Sequence, residues 1–478
     1  MLFNSLDFMV FLPAAFALYW LLGRRLRLQN LLVVVASYVF YGWWDWRFLV
    51  LIAFTSAWSY LFGLLELNAA AGTRWSKFRL ALSCVINLGI LGYFKYAGFF
   101  VHEAEALLNA LGFHAHFETL KVILPVGISF YTFQALSYTI DVYRRVVVPT
   151  RDPIAFFAFI SFFPQLVAGP IERASSLLPQ FLRPREFSYP LAVEGCRQML
   201  WGFFKKILVA DSCAAAANVL LGGESPSGVA LWLGMAAFAF QIYGDFSGYS
   251  DIAIGCGKLF GIRLMRNFAY PYFSRDIAEF WRRWHISLTT WFRDYLYIPL
   301  GGSRCSTAKK IRNTFAIFIV SGLWHGANWT FLAWGAFHAL CFVPLLVAGR
   351  NRQHVSDVVA ADRHAPSARE LGGMLLTFLL AVVGWTFFRA PDIATAFAWL
   401  GRMFSPACLL AGGALVAGKA DHALMPVLAL LAVEWASRRR ELPVLPRRRW
   451  LRWIVYYLVV YAICCYRPAP ETFIYFQF

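Results

Sequence analysis

The segment from Thr314 to Gly349 constrains the fold of this chain most, because it is long, apolar and free of Asp, Glu, Lys and Arg. As one helix rising about 1.5 Å per residue it would be roughly 54 Å long, whereas a bilayer core is only about 30 Å thick. The segment must therefore break, and Gly-Leu-Trp-His-Gly-Ala-Asn at 322–328 is the favoured place. We expect His325 to lie at membrane depth on irregular backbone, where an ionisable side chain predicts a functional site.

The composition of the whole chain is that of an integral membrane protein. Of its 478 residues, 60% are hydrophobic and only 15% are charged, against about 25% charged residues in soluble domains. Its length allows about ten or more helical spans. The nine cysteines include no CxxC pair, so neither a disulfide framework nor a zinc site is indicated.

The net charge of +18 is distributed in a way that favours a membrane over nucleic acid. Among the early loops every second one is basic, as at 24–27, 74–79 and 144–151, which is the positive-inside pattern. We therefore expect the N-terminus to face outward and the arginine-containing loops to face inward. The arginines at 438–440 and 447–449 predict an inner-face anchor beside anionic lipid, and no nucleic-acid partner is expected.

A second histidine lies in the polar block from Ser274 to Arg304. Phe280, Trp281, Trp284, Leu288, Trp291 and Tyr295 recur at steps of three and four residues, which predicts the aromatic face of one amphipathic helix lying in the membrane interface. His285 borders that face. Taken alone, a single histidine at such a position is more often structural than catalytic.

Two carboxylates lie within the otherwise apolar stretch at 241–251, next to two glycines. Asp245 and Asp251 are costly inside a membrane unless they are paired or hydrated. Arg275, Arg282 or one of the histidines are the expected partners, and a buried ion pair that only fixes the fold is an equally good interpretation.

Two earlier stretches, at 125–134 and 163–173, also combine Pro and Gly with polar side chains in apolar surroundings. Broken helices of this kind line cavities in membrane proteins. Together with the break at His325, they predict a polar tunnel.

Seven stretches identify a family. They are LPVGISFYTFQALSYTIDVYR (124–144), FFPQLVAGPIER (162–173), QIYGDFSGYSDIAIG (241–255), FWRRWHISLTTWFRDYLYIPLGGSR (280–304), SGLWHGANWTFLAWG (321–335), GWTFFRAP (384–391) and FIYFQF (473–478). With these stretches the chain resembles the membrane-bound O-acyltransferases, specifically the branch that contains alginate O-acetyltransferases.

The resemblance implies an all-α polytopic membrane protein of the bacterial inner membrane. It implies a bundle of about 11–13 spans, with re-entrant or interfacial helices, that encloses a tunnel from a cytoplasmic donor side to an outer acceptor side. A single domain over residues 1–478 is expected, with a catalytic core at about 122–349. An outer-face partner acetyltransferase or polymer-secretion proteins are expected to act with it on an exported polysaccharide.

The resemblance also assigns residues. The near-invariant histidine of the family corresponds to His325, and its second motif histidine to His285. Candidate substrate-contacting or tunnel-lining side chains are Asp245, Tyr249, Trp324, Asn328, Trp284 and Gln134. His338 and His422 match no motif and are expected to be packing or loop residues.

The chemistry expected at this site is acyl transfer to a hydroxyl group. A neutral imidazole can take the hydroxyl proton as the oxygen attacks an acyl thioester such as acetyl-CoA, and we expect His325 to be this base. His285, Asn328 or the Trp324 N–H would orient substrate or stabilise the oxyanion. The sequence contains neither a G-x-S-x-G nor an H-E-x-x-H motif, so direct transfer without a metal or permanent cofactor is expected, with an acyl-histidine intermediate as the alternative.

Two other functions fit a chain with many spans. A lipid-linked glycosyltransferase would need acidic metal ligands in an early outer loop, where Asp45 stands alone among tryptophans. A polysaccharide or lipid transporter would explain broken helices, although no paired repeat accompanies them. The segments between the motifs leave the acceptor open among alginate, cellulose, peptidoglycan and other polymers.

Overall fold

The structure is a computed structural model that describes residues 1–70, 72–117, 123–167, 169–223, 226–406, 421–466 and 473–474. This part of the chain is helical and contains no β-strand, which confirms the all-α class. The α-helices, numbered in chain order, are α1 Leu6–Leu21, α2 Leu26–Gly42, α3 Leu49–Leu67, α4 Arg74–Ala110, α5 Ile128–Tyr143, α6 Pro153–Ser161, α7 Phe163–Leu166, α8 Ala174–Phe181, α9 Tyr189–Phe203, α10 Asp211–Leu221, α11 Gly228–Leu259, α12 Ile277–Arg283, α13 Ile286–Phe292, α14 Thr307–His325, α15 Trp329–Val347, α16 Ala368–Arg389, α17 Ile393–Met403, α18 Asp421–Ser437 and α19 Arg449–Cys465.

Several of these helices are suited to a bilayer. Within the described residues, five helical segments are long and apolar enough to cross a membrane, namely Trp46–Leu67, Arg74–Ala110, Gly228–Leu259, Trp329–Val347 and Ala368–Arg389. Shorter apolar helices cover Leu6–Leu21, Leu26–Gly42 and His422–Ser437. The protein is therefore a polytopic membrane protein, while the count of about 11–13 spans and the tunnel stay predictions.

The chain divides into two compact units, Met1–Arg197 with Ala253–Met265, and Gln198–Ile252 with Arg266–Phe478. Whether they act as the single domain predicted from the sequence stays a prediction. In the first unit α2 packs on α6, and α3 packs on α5 and α6. Phe8, Phe40 and Phe163 form part of its buried aromatic core, with ring centroids of Phe40 and Phe163 5.5 Å apart.

Of the two Pro- and Gly-containing stretches of the first unit, the one at 125–134 starts helix α5 rather than breaking a helix, whereas the one at 163–173 contains the end of a helix, as predicted. Gly127 has a φ of +72° directly before α5, and a Cβ there would overlap the carbonyl oxygen of Leu166. Phe162 separates α6 from α7, which ends within the second stretch. At position 127, only a glycine can adopt the positive φ next to the Leu166 carbonyl without strain.

In the second unit, the helical pair α14 and α15 forms the most extensive helix–helix contact, and α16 packs on α15. A π-helical segment, Phe204–Ala210, joins α9 to α10 and contacts α18 and α19. A second π-helical segment, Arg293–Tyr297, follows α13. Short π-helical segments are rare and often occur at functional sites.

Candidate active site

The long apolar segment breaks where the sequence predicted. Helix α14 ends at His325, and α15 begins at Trp329 after Asn328, whose Oδ1 accepts a hydrogen bond from Thr330 N at 3.0 Å. Helix α14 begins at Thr307 rather than near Thr314, so its first turns carry Lys309, Lys310 and Arg312. A Cβ at Gly322 would overlap the carbonyl oxygen of Phe331, so this glycine allows the backbones of α14 and α15 to approach closely.

His325 is surrounded by aromatic rings. Its side chain is buried, and its ring centroid lies 4.9 Å from Trp324, 5.1 Å from Trp334 and 5.2 Å from Phe388. All three contacts are edge-on. Such rings exclude water and hold the imidazole plane in a defined orientation.

The predicted amphipathic helix around His285 is wrong in two respects. The chain forms two short helices, α12 and α13, because Trp284 is extended and His285 has a φ of +43° between them. The aromatic face is also buried in protein rather than laid in an interface, since Trp284 is 1% exposed. Ile286 N donates to Asn267 O at 2.9 Å, and this bond holds the kinked backbone at the start of α13.

The hydrogen bonds of His285 define which ring nitrogen faces the site. Its Nδ1 lies 3.0 Å from Asn267 Oδ1, and that amide donates through Nδ2 to Ser250 Oγ at 3.1 Å. Because Oδ1 can only accept, the Nδ1 atom of His285 carries the proton, and Nε2 is left with a lone pair. Among the described residues Nε2 has no hydrogen-bond partner. His285 lies outside the helices of membrane-spanning length, and burial lowers its pKa to about 3, so its ring is neutral near pH 7.

One small cavity brings the two histidines together. It has a volume of about 60 Å³ and is lined by Trp281, Trp284, His285, Leu288, Thr289, Phe292, Ile317, Phe318, Ser321 and His325. Ser321 precedes His325 by one helical turn and so shares its face of α14. Its lining is mainly apolar, with polar groups from His285, Thr289, Ser321 and His325, and a cavity of this size can hold a few water molecules or a short acyl group.

Comparisons with known proteins identify the family of this chain. Residues 144–369 match the family model for MBOAT, the membrane-bound O-acyltransferase family. The chain is 44% identical over 406 residues to the probable alginate O-acetylase AlgI of Pseudomonas aeruginosa. This alignment covers 85% of this chain and 75% of the relative. It is also 34% identical over 427 residues to the peptidoglycan O-acetyltransferase of Helicobacter pylori, in an alignment that covers 83% of this chain and 78% of the relative.

The chain belongs to the membrane-bound O-acyltransferase family. It is therefore a membrane-bound O-acyltransferase, as the motifs predicted. The glycosyltransferase and transporter alternatives are set aside, because similarity to O-acyltransferases extends over most of the chain.

The expected partners of the two membrane carboxylates are wrong. Asp245 pairs with Lys206 at 3.0 Å, and Asp251 pairs with Lys205 at 2.5 Å. Lys206 also pairs with Asp211 at 2.7 Å. Arg275 instead binds Glu279 and Asp357, while Arg282 donates to backbone carbonyls of the 350–357 connector. The carboxylates of this O-acyltransferase are thus neutralised by two lysines on the π-helical segment.

Asp245 also holds the C-terminal stretch close to the second histidine. Its Oδ2 accepts from Ile474 N at 2.7 Å, and the Phe473 ring lies 4.2 Å from that of Tyr249. Phe246 lies between this contact and the site, with its ring 4.6 Å from His285 and 6.2 Å from Phe473. The rest of the FIYFQF motif, 475–478, lies outside the described residues.

The remaining predicted site residues fall into different places. Trp324 lies between the two histidines, with its ring 5.9 Å from His285, and Trp284 lines the cavity. Asn328 caps α15 through its Oδ1 atom and donates through Nδ2 to Pro391 O at 3.1 Å, so both polar atoms of its amide are used in structural hydrogen bonds. Gln134 belongs to the first unit, where it donates to Phe159 O at 2.9 Å and accepts from Gln165 Nε2. Roles in substrate contact stay predictions for all four.

Sequence reasoning missed the two lysines that pair with the membrane carboxylates and the asparagine that contacts His285. Lys205 and Lys206 interrupt an apolar run, and the rule that intramembrane charges require a partner could have identified them. Asn267 lies in a loop without periodicity and gives no such signal. His338, expected to be a packing residue, is fully buried, with its ring 5.0 Å from Trp334. No group of three or more His, Cys, Asp or Glu side chains is placed to hold a metal ion in the described part of the chain.

Proposed function

We propose that this protein is an O-acetyltransferase of a bacterial inner membrane. It moves an acetyl group from a thioester on the cytoplasmic side, with acetyl-CoA as the expected donor, to hydroxyl groups of an exported polysaccharide or to a partner protein that delivers it. The names of the alginate- and peptidoglycan-acetylating relatives support a polymer as the final acceptor. The small volume of the cavity, about 60 Å³, supports a short acyl group over a fatty acyl chain.

The observation that carries this proposal is that two buried histidines, one at the end of α14 and one in the turn between α12 and α13, line one cavity. In the proposed reaction His325 accepts the proton of the acceptor hydroxyl while the oxygen attacks the thioester carbonyl. The tetrahedral intermediate collapses, the carbon–sulfur bond breaks, and the thiolate takes the proton back from His325. The donor leaves as a free thiol and the acceptor as an ester, so atoms and charge balance.

The other polar groups of the cavity have positioning roles in this proposal. The lone pair of His285 Nε2 accepts a hydrogen bond from the acceptor hydroxyl and aims its oxygen. The Ser321 hydroxyl lines the same cavity and donates to the developing oxyanion. A neutral imidazole at position 285 fits this role, because a cation there would repel the imidazolium that forms on His325.

The test replaces each histidine in the full chain and measures acetyl transfer. General acid–base catalysis contributes about 10²–10⁴-fold, so His325→Ala is expected to lower kcat by that amount. His285→Ala is expected to lower it less, with a larger change in KM for the acceptor. His422→Ala, on an exposed side chain, is the matched control and should retain full activity.

Wild-type acetylation by a correctly inserted His325→Ala protein would rule the proposal out. An acyl-histidine intermediate makes a distinct prediction. Donor alone, without acceptor, would then leave one labelled acetyl group on the protein, and His325→Ala would not be labelled.

A further inference from the structure

A second and larger cavity lies in the second unit and shares no lining residue with the cavity of the two histidines. It measures about 780 Å³ and lies between the C-terminal half of α15, the N-terminal half of α16 and the connector that joins them. We propose that it binds an anionic phospholipid, with the phosphate at Arg350 and Arg369 and an acyl chain along Leu345, Leu376 and Leu380. Its volume is within the range of about 300–1,000 Å³ that is usual for small-molecule sites.

One wall of this cavity is suited to an acyl chain. Helix α15 supplies Cys341, Pro344 and Leu345, and α16 supplies Leu376 and Leu380. Both helices are long and apolar enough to span a membrane, and Leu376 is 60% exposed. Because this wall opens at the surface of two spanning helices, lipid chains are the molecules that would meet it in a bilayer.

The rim of the cavity is positively charged. The lining contains four arginines and only two carboxylates: Arg275, Arg350, Arg363 and Arg369, with Asp276 and Glu370. Two of the arginines are already neutralised, since Arg275 pairs with Asp357 at 2.9 Å and Arg363 pairs with Glu370 at 2.9 Å. Arg350 and Arg369 form no ion pair with any described residue. Their two charges are therefore available to an anion.

The position of these two arginines matches that of a lipid headgroup. Arg350 follows the last residue of α15, Val347, by three positions, and Arg369 is the second residue of α16. Both thus lie where the chain leaves and re-enters the apolar layer. Basic pockets between spanning helices at this level bind anionic headgroups, and each arginine near the surface contributes about fivefold in affinity.

The cavity is built on fixed backbone rather than on mobile surface residues. Ser367 and Glu370 form a reciprocal capping box at the start of α16. A Cβ at Gly373 would lie 2.7 Å from the carbonyl oxygen of Arg275, so α16 packs directly on the loop before α12. A preformed pocket of this kind loses little conformational freedom when it binds a ligand.

Phosphatidylglycerol is the probe for this site, with phosphatidylcholine of the same acyl chains, a zwitterion without net charge, as the comparison. Binding to the purified full-length chain in detergent is measured by native mass spectrometry across a lipid titration. Arg350→Gln with Arg369→Gln is expected to weaken phosphatidylglycerol binding about 25-fold, from about fivefold per arginine, and to leave phosphatidylcholine unchanged. Arg304→Gln with Lys309→Gln removes the same charge from another exposed basic segment, one that does not line this cavity, and should retain the wild-type affinity.

A second variant tests the apolar wall separately. Leu376→Trp should reduce phosphatidylglycerol binding while leaving binding of the soluble headgroup glycerophosphoglycerol unchanged. Equal affinity of wild-type and double-arginine protein for phosphatidylglycerol, at the same melting temperature, would overturn the proposal. So would equal binding of the two lipids, or displacement of phosphatidylglycerol by acetyl-CoA, which would assign the cavity to the acyl donor.

Discussion

Two stretches of this O-acyltransferase place glycine and polar side chains within apolar sequence, and they fold in opposite ways. At 322–328 the helix ends: His325 is the last residue of α14, and Gly326 is extended, with a φ of −170°. At 241–251 the helix continues without interruption through α11, although that stretch carries two carboxylates. Composition alone does not distinguish them.

The difference lies in what the polar groups require. Asp245 and Asp251 are charges, and each has a lysine on the neighbouring π-helical segment. The two glycines of the 241–251 stretch allow that approach, because a Cβ at Gly248 would lie 2.8 Å from Gly202 O and a Cβ at Gly244 would lie 2.9 Å from Lys205 O. Once the charges are paired, nothing forces the helix to open.

His325 needs no counter-charge, since a neutral imidazole is far less costly to bury than an ion. What it needs is a cavity, and the hairpin of α14 and α15 places it beside one. Intramembrane charges with a nearby partner of opposite sign are thus primarily structural here, whereas an uncharged titratable ring at a helix break lines the candidate site.

The largest expected effect comes from breaking the paired stretch. Lys206→Met leaves Asp245 and Asp211 as buried carboxylates without their cation, and removal of one partner of a buried pair costs about 3–5 kcal/mol. The measurement is the free energy of unfolding, or the melting temperature, of the full chain in detergent. Adding Asp245→Asn to this variant should recover part of the loss.

Lys258→Met provides the matched control for this prediction. Lys258 pairs with Glu194, whose side chain is 45% exposed, and pairs exposed to solvent contribute at most about 1 kcal/mol. If both lysine substitutions lowered stability equally, the distinction between structural and solvated charges in this chain would fail.

The limits of sequence reasoning follow from the same two stretches. Helical class, the break at 322–328 and the histidine at its centre could be predicted, because length, apolarity and glycine act locally along the chain. The pairing of Asp245 with Lys206 could not, since it depends on which helix packs against α11. The left-handed turn at His285 was also missed, because the aromatic period continues through it although the backbone does not.

A medium effect is expected at the glycines of the broken stretch. Gly322→Ala would force α14 away from the carbonyl oxygen of Phe331, and overpacking of this kind costs about 1–3 kcal/mol. Acetyl transfer should decrease together with the stability, because His325 lies one turn after Gly322.

Gly372→Ala is the control: it lies in α16 with no atom within 4 Å of the added carbon, and removing a helical glycine there should be neutral or stabilising by up to about 1 kcal/mol. Equal tolerance of both changes would show that close approach of α14 and α15 is not required.

The smallest effect sharpens the comparison by turning a neutral histidine into a charged one. Asn267→Asp places a carboxylate 3.0 Å from the Nδ1 atom of His285, and an opposite charge at that distance raises the pKa of the ring from its value of about 3. A raised pKa means that His285 gains its proton as pH falls through the new value. The variant should therefore lose about tenfold in kcat on the acid side, equivalent to about 1.4 kcal/mol, and approach wild-type activity as pH rises.

Ser250→Ala removes only the hydroxyl that holds the Asn267 amide, so it should lower activity without moving the pH profile. Parallel profiles for Asn267→Asp and wild type would mean that the charge of His285 has no bearing on transfer, and that Asn267 only supports the fold of the turn.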